Sequence, residues 1–336
     1  MNIENIVLAR KLSVLEFDAA RDKISIEEAT LRTSQMGADG DKILQSHLRQ
    51  MESEKKVLHA LASQGDALQG YEDLLSIIRG DAIPKTLIMP NTLVIALGGD
   101  NYFQYVSHFL ENQPLVGINS DPENSDGALT YFTAESFVDF IPKLESGKFN
   151  TEEWTRLQAS LNDKKIPTLA TSEIYIGAYK STDMSRYILE LRKGSRGRVR
   201  ESEEQKSSGL VVSTKAGETG WYDAASRYAT NRSMRSLESS VFYTDIMLGR
   251  VHNIHPVEDP QFRSAYFIAR EPFVSSPEQR LKNYHGYIRE KETIHLTWLA
   301  HGKGLVSIDA RDEYEITRGD IVEIKISNTP LRVVTP

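Results

Sequence analysis

The sequence predicts an α/β domain followed by a β-rich domain. Three observations carry that expectation. A continuous apolar run, Thr92–Leu97, ends on Gly98-Gly99 and precedes a helical pattern and a second apolar run, Pro114–Asn119. Strand, glycine turn, helix and strand make a βαβ unit, for which a right-handed crossover is expected. After about Phe149, short alternating runs take over, and a length of 336 residues suits two domains.

Each element follows from its pattern. Ile6–Leu12 reads as a first strand. Leu44, Leu48, Met51, Val57-Leu58, Leu61 and Leu68 recur near helical spacing, so helices are expected between Val14 and Gly80. Ile83-Pro84 then breaks the pattern. Thr92–Leu97 has the length and β-branching of a buried parallel strand, although periodicity alone leaves a short helix open. Tyr102–Asn112 reads as a helix. Glu173–Tyr179 and Tyr187–Leu191 alternate as half-buried strands do. The polar stretch Gly194–Ser208 reads as a hairpin tip, Gly209–Thr214 as a strand and Tyr222–Leu237 as a helix. From Ala265 onward, AYFIA, LTWLA, GLVSIDA and DIVEIKIS read as short strands. The change of pattern places a boundary near residue 145, dividing the chain into 1–145 and 146–336.

Composition narrows the function. Hydrophobic residues make up 40% and charged residues 26%, the balance of an ordinary globular protein. A net charge of −7 argues against a dedicated nucleic-acid or acidic-membrane surface, but not against a nucleotide pocket. With no cysteine, a disulfide, a thiolate metal site or a Cys nucleophile is excluded. Met1–Asn5 shows neither signal-peptide nor transit-peptide character, and no apolar run approaches the roughly 20 residues of a membrane span. A cytoplasmic protein is expected.

The chemistry centres on Gly98-Gly99-Asp100-Asn101. Glycines leaving a buried strand let backbone N–H groups approach a phosphate, and a following helix adds its N-terminal partial charge. An Asp there repels phosphate; its uses are to take a proton from an attacking hydroxyl or to hold Mg²⁺ through water. The triplet alone is a weak signal and more often a plain turn in which Asp100 caps the next helix. Gly117-Ile118-Asn119 ends the next strand, at the edge where open α/β sheets bind ligands.

Further strings follow in order: Asn119-Ser120-Asp121-Pro122, Ser172-Glu173, Lys206-Ser207-Ser208-Gly209-Leu210, Thr214-Lys215-Ala216-Gly217-Glu218-Thr219 and Arg270-Glu271-Pro272. Ala9-Arg10-Lys11-Leu12 and Leu15-Glu16-Phe17 stand near the start. Together these strings resemble the NAD kinase family over nearly the whole chain, and most closely its divergent mitochondrial-type branch. The resemblance implies the two-domain architecture of NAD kinases and diacylglycerol kinases, with an interdomain active site. Residues 1–145 would be the nucleotide-binding domain and 146–336 the NAD-binding domain, the extreme C-terminus packing back on the first. The implied reaction moves the γ-phosphoryl group of ATP, as its Mg²⁺ complex, to the 2′-hydroxyl of NAD. Asp100 matches the family's base, and Gly98, Gly99 and Asn101 its ATP-binding turn. Asn119, Ser172, Glu173, Thr214, Gly217 and Thr219 match NAD-binding positions. A homo-oligomer is implied as well.

Several positions depart from the family. Asn101 replaces a glycine, Tyr102 a Thr, Ser172 an Asn and Glu218 a Ser. Trp221 sits where the family has an aromatic. These departures leave two alternatives open, a kinase of another hydroxyl acceptor such as a lipid and a weakly catalytic dinucleotide sensor. Plainer readings stand beside each site. Glu173 reads equally as an exposed edge carboxylate, Thr214 as a β-branched strand residue and Glu218 as a solvated loop residue. His252 and His255 have helical metal-ligand spacing, but Pro256 and the lack of a third ligand argue against a metal. Asp39-Gly40-Asp41 lacks the later acidic position of a calcium loop and reads as a surface turn. Arg280–Lys291 reads as a solvated strand face.

Overall fold

The parallel sheet forms where the sequence is most apolar. The structure, a computed structural model, describes residues 3–62, 89–193, 197–227, 263–273 and 283–336. Strand β1 (Asn5–Arg10) pairs with β2 (Thr92–Gly98), and β2 with β3 (Pro114–Asn119), all parallel. The short β4 (Phe132–Thr133) pairs with the far end of β3. The C-terminal strand Leu331–Thr335 runs parallel to β3 and stands between it and β5 (Asn150–Trp154). The helices of this unit are α1 (Val14–Asp22), α2 (Ile26–Ser34), α3 (Ala38–Ala62), α4 (Asp100–Ser107) and α5 (Ala134–Glu145).

Strand alternation divides the two faces. Ile6, Leu8, Leu93, Ile95, Leu97, Val116 and Ile118 share one core with Val57 and Leu61 of α3 and Phe137 and Phe140 of α5. Full burial of each Leu or Ile contributes about 1.5–3 kcal/mol. The opposite face meets α4: a Cβ at Gly117 would sit 2.7 Å from the Phe103 ring. With both faces covered, the strands read as unbroken apolar runs.

Buried charge locks the first helix to the sheet. Ser13 and Glu16 form a capping box at the start of α1. Arg10, at the end of β1, donates to Glu16 at 2.7 and 2.8 Å and lies 3.0 Å from Glu54. The strings around Arg10 and Glu16 thus build the junction of β1, α1 and α3.

The second unit is a sandwich of two antiparallel sheets. Its strands are β6 (Leu157–Leu161), β7 (Lys164–Ala170), β8 (Glu173–Ala178), β9 (Ser185–Lys193), β10 (Val199–Ser207) and β11 (Leu210–Ser213), followed by β12 (Ser264–Ala269), β13 (His285–Arg289), β14 (Glu292–Trp298), β15 (Gly304–Ile308), β16 (Asp312–Ile316) and β17 (Ile321–Ile326). One sheet has the order β10-β9-β14-β17-β6-β7, the other β13-β12-β11-β8-β15-β16. Inward residues of both, among them Ile176, Leu189, Val212, Phe267, Leu296, Val306 and Ile324, form one buried cluster.

Several expectations shift. The compact units are Met1–Glu153 with Leu331–Pro336, and Trp154–Pro330. The division falls after residue 145 because β5 belongs to the first sheet. The proposed hairpin tip is mostly strand: β10 pairs with β9 along Val199–Ser207. It reads as polar because it is an edge strand. The helix expected from Tyr102 begins earlier, at Asp100, and ends at Ser107. Asp39-Gly40-Asp41 opens α3 instead of forming a turn. Its two carboxylates suit the positive end of a helix, and a Cβ on Gly40 would lie 1.9 Å from the Thr33 carbonyl oxygen of α2. The Ile83-Pro84 break, His252 and His255, and parts of Tyr222–Leu237 and Arg280–Lys291 lie outside the described residues.

Candidate functional site

In the first unit, the glycine turn stands at the carboxyl edge of the parallel sheet, beside the end of β3. Gly98 pairs in register with Asn119, and the Ser120 N–H donates to the Gly98 carbonyl at 3.2 Å. Neither Gly98, Gly99 nor Asn101 has positive φ. Glycine is needed here for room. A Cβ at Gly98 would meet Tyr102 at 2.9 Å and Lys11 at 3.1 Å; one at Gly99 would meet the Ser125 hydroxyl at 3.2 Å. Asn101 is an exposed residue of α4. Gly99 is the N-cap of α4, and no side chain caps that helix end.

Asp100 does not cap its own helix. Its Oδ2 accepts the Ala128 N–H at 3.0 Å, and its Oδ1 the Leu129 N–H at 2.8 Å. It therefore ties the glycine turn to the loop after β3. Asn119 works on the same loop: its Nδ2 donates to the Ser125 carbonyl at 2.8 Å, and its Oδ1 accepts the Asp121 N–H. Its polar atoms are thus engaged within the loop. Asp121 anchors the loop to α3, accepting from Ser46 at 2.5 Å and from Arg49 at 2.6 Å. Burial pushes the Asp121 carboxyl up, but hydrogen bonds from Arg49, Ser46 and Asn124 outweigh it and hold it below the ordinary range.

In the second unit, the expected NAD-binding residues share a bench of backbone. Glu173 opens β8, opposite Ser213 of β11. The Thr214 N–H donates to the Ser172 carbonyl at 2.8 Å, and the Thr214 hydroxyl to the Thr171 carbonyl at 2.6 Å. Gly217 closes on the same segment: its N–H donates to the Thr214 hydroxyl at 3.3 Å, and a Cβ there would lie 2.5 Å from the Ser172 carbonyl oxygen. Ser172 is fully buried, while Thr219 is exposed on the π-helical turn Glu218–Tyr222. In that turn Trp221 packs on Tyr175 with ring centroids 4.7 Å apart, and the Arg270 guanidinium lies 5.0 Å from the Trp221 ring. The Arg270-Glu271-Pro272 string is thereby brought to the Thr214–Thr219 segment.

Glu173 is electrostatically distinct. Burial, with the nearby Asp309 carboxylate second, raises its pKa to about 7. Half-buried, it is an acceptor suited to ligand hydroxyls. Asp309, which sequence reasoning missed, accepts the N–H groups of Thr171, Ser172 and Glu173 at 2.8–2.9 Å. An Asp in a Ser-Ile-Asp-Ala-Arg-Asp hairpin carries no sequence signal for that reach.

No protein-family model matches the chain. It is 25% identical over 281 residues to a probable NADH kinase of Oryza sativa subsp. japonica, spanning 79% of this chain and 76% of that protein. It is 22% identical over 344 residues to NAD kinase 2, mitochondrial, of Xenopus tropicalis, spanning 82% and 79%. Among solved structures, yeast NADH kinase complexed with NADH aligns with a TM-score of 0.59 at 12% identity, over 99% of this chain and 84% of that one. An NAD kinase from Archaeoglobus fulgidus in complex with ATP aligns with a TM-score of 0.50 at 19% identity, over 72% and 76%. In sequence and in fold the chain is similar to NAD and NADH kinases.

Proposed function

We propose that this chain phosphorylates the 2′-hydroxyl of NAD with ATP, giving NADP. The observation that carries the reading is the Gly98-Gly99-Asp100 turn at the carboxyl edge of a parallel sheet, in a chain whose long-range relatives are named NAD or NADH kinases. Those names favour a dinucleotide acceptor over a lipid.

The chemistry asked of the residues is positioning and charge control, because phosphoryl transfer passes through a loose transition state. Gly98 and Gly99 offer backbone to phosphate oxygens at the start of α4, whose N-terminus has no side-chain cap. Asn101 stands on the same turn. Asp100 accepts the proton of the attacking hydroxyl; each of its oxygens receives one N–H and keeps a further lone pair for that proton. Glu173 accepts hydrogen bonds from dinucleotide hydroxyls. Thr214 and Gly217, with Ser172 and Thr219, shape the surface beside it, and Asn119 holds the loop that Asp100 grips.

ATP enters as its Mg²⁺ complex, a substrate. Among the described residues no group of three His, Asp or Glu side chains is placed to hold a metal. Mg²⁺ would be held chiefly by the phosphates and water, with Asp100 the carboxylate on the glycine turn.

The test is NADP formation by wild type and Asp100→Asn in parallel, with NAD and NADH as acceptors. Wild type is expected to turn over, and the variant to lose about 10²–10⁴-fold in kcat. Turnover surviving in Asp100→Asn would remove the base role. Phosphorylation of a lipid with the dinucleotide left untouched would overturn the reading. A homo-oligomer and a cytoplasmic location belong to the same proposal; light scattering and cell fractionation test them. Two relatives are mitochondrial by name, and among the described residues no helix is long and apolar enough to cross a membrane.

A further inference from the structure

The hairpin turn between β15 and β16 holds an acidic side chain in an unusual post. Asp309 and Ala310 both have positive φ, +47° and +54°. Glycine or asparagine would meet that backbone demand more easily. Asp309 is nonetheless 4% exposed, with its carboxylate turned under the segment that leads into β8. Oδ2 accepts the Thr171 N–H at 2.8 Å; Oδ1 accepts those of Ser172 at 2.9 Å and Glu173 at 2.8 Å. In return, the Asp309 N–H donates to the Glu173 carbonyl at 2.9 Å.

Three successive amides pointing one way form a concave anion nest. An external anion would normally fill such a nest; here a side chain of the same unit does. The chemistry needs both oxygens. An asparagine in the same pose would place an NH₂ against the Thr171 N–H, or lose the bonds to Ser172 and Glu173. The carbonyls on the other side of the same peptides, Thr171 and Ser172, take the Thr214 hydroxyl and N–H. One carboxylate thus fixes the backbone from which both Glu173 and Thr214 are aimed.

The arrangement has an electrostatic cost, since two carboxylates stand close in a partly buried place. A residue kept only to close a tight turn would not need that charge. We propose that Asp309 is a positioning residue for the dinucleotide, acting through Glu173 by fixing the peptides of Thr171, Ser172 and Glu173. This rests on the dinucleotide-kinase reading.

The experiment is a double-mutant cycle on the full chain with Asp309→Asn, Glu173→Gln and the pair, reading kcat, KM for NAD and KM for ATP. Asp309→Gly, which suits the positive φ, serves as a second single variant. Asp309→Asn is expected to raise the KM for NAD about 10-fold with the KM for ATP within about 2-fold. In the Glu173→Gln background the same change should add little. An equal rise in both backgrounds, or an unchanged KM for NAD in folded variants of an active wild type, would overturn this proposal alone. Loss of the fold in both Asp309 variants would assign the residue to the fold and overturn it too. A wild type that neither binds nor phosphorylates the dinucleotide would overturn the kinase reading, and this inference with it.

Discussion

Glu173 shows what a half-buried carboxyl costs the fold that carries it. A carboxyl whose folded pKa is raised to about 7 binds its proton more tightly folded than unfolded. The fold therefore loses stability as pH climbs from the ordinary carboxyl range through 7, and the loss levels off above that. Glu173→Gln removes this dependence. It is expected to melt higher than wild type at pH 8, by about 1–2 kcal/mol after solvent screening, and to match it near pH 4.5. Calorimetric melts of both proteins across that range check the sign. Dinucleotide binding should show the opposite preference in wild type, tightening between pH 6 and 8 as Glu173 ionises. Titration calorimetry at three pH values measures it, and a flat profile would remove the ionised carboxylate from the binding step. The sequence offered Glu173 through its motif, but not its environment. Asp309, the second cause of its shift, lies 136 residues away, so the perturbation is a tertiary property. The glycines were legible from their place at the end of a buried strand, but not the crowding by Tyr102 and Lys11 that a Cβ at Gly98 would meet.

Among elements, burial on both faces decided which were easy to read. Strands β2 and β3 are apolar throughout because α3 and α5 cover one face and α4 packs on the other, and Pro114–Asn119 was legible to the residue. Strand β10 was not, because an edge strand with polar partners has the composition of a loop. The start of α3 was lost for a related reason, since Asp-Gly-Asp reads locally as a turn until α2 is placed against it. Packing of α4 gives a direct test. Gly117→Val would drive its side chain into the Phe103 ring, where even a Cβ stands 2.7 Å away. A loss of about 1–3 kcal/mol in urea unfolding is expected. The loop that Asp100 grips gives another. Arg49→Met leaves the buried Asp121 carboxylate without its cation, and should cost about 1–3 kcal/mol by the same measurement. Because that loop also receives Asp100, kcat should fall along with stability.

At the scale of the whole molecule, composition and pattern shift announced two regions, and the sandwich of the second follows from its alternating strands. The exact division was not legible, because β5 is polar and its partner is the end of the chain. Leu331–Thr335 lies parallel to β3, with Leu331, Val333 and Val334 buried. Removing residues 331–336 should therefore unfold the first unit while leaving the antiparallel sandwich intact. Limited proteolysis of the truncated chain, with fragments identified by mass, distinguishes that outcome from uniform loss.

The same strand sets an order on biosynthesis. Domains generally fold from the N-terminus as the ribosome releases them. Here, by the time β5 has emerged, its neighbour Leu331–Thr335 has yet to be translated, and it arrives only after the whole sandwich. The sandwich, encoded second, can finish first. The unit carrying the glycine turn must wait, its sheet open between β3 and β5, until Leu331–Thr335 has emerged. The glycine turn built on that sheet therefore takes its final setting only after the sandwich and the strand that follows it have been made.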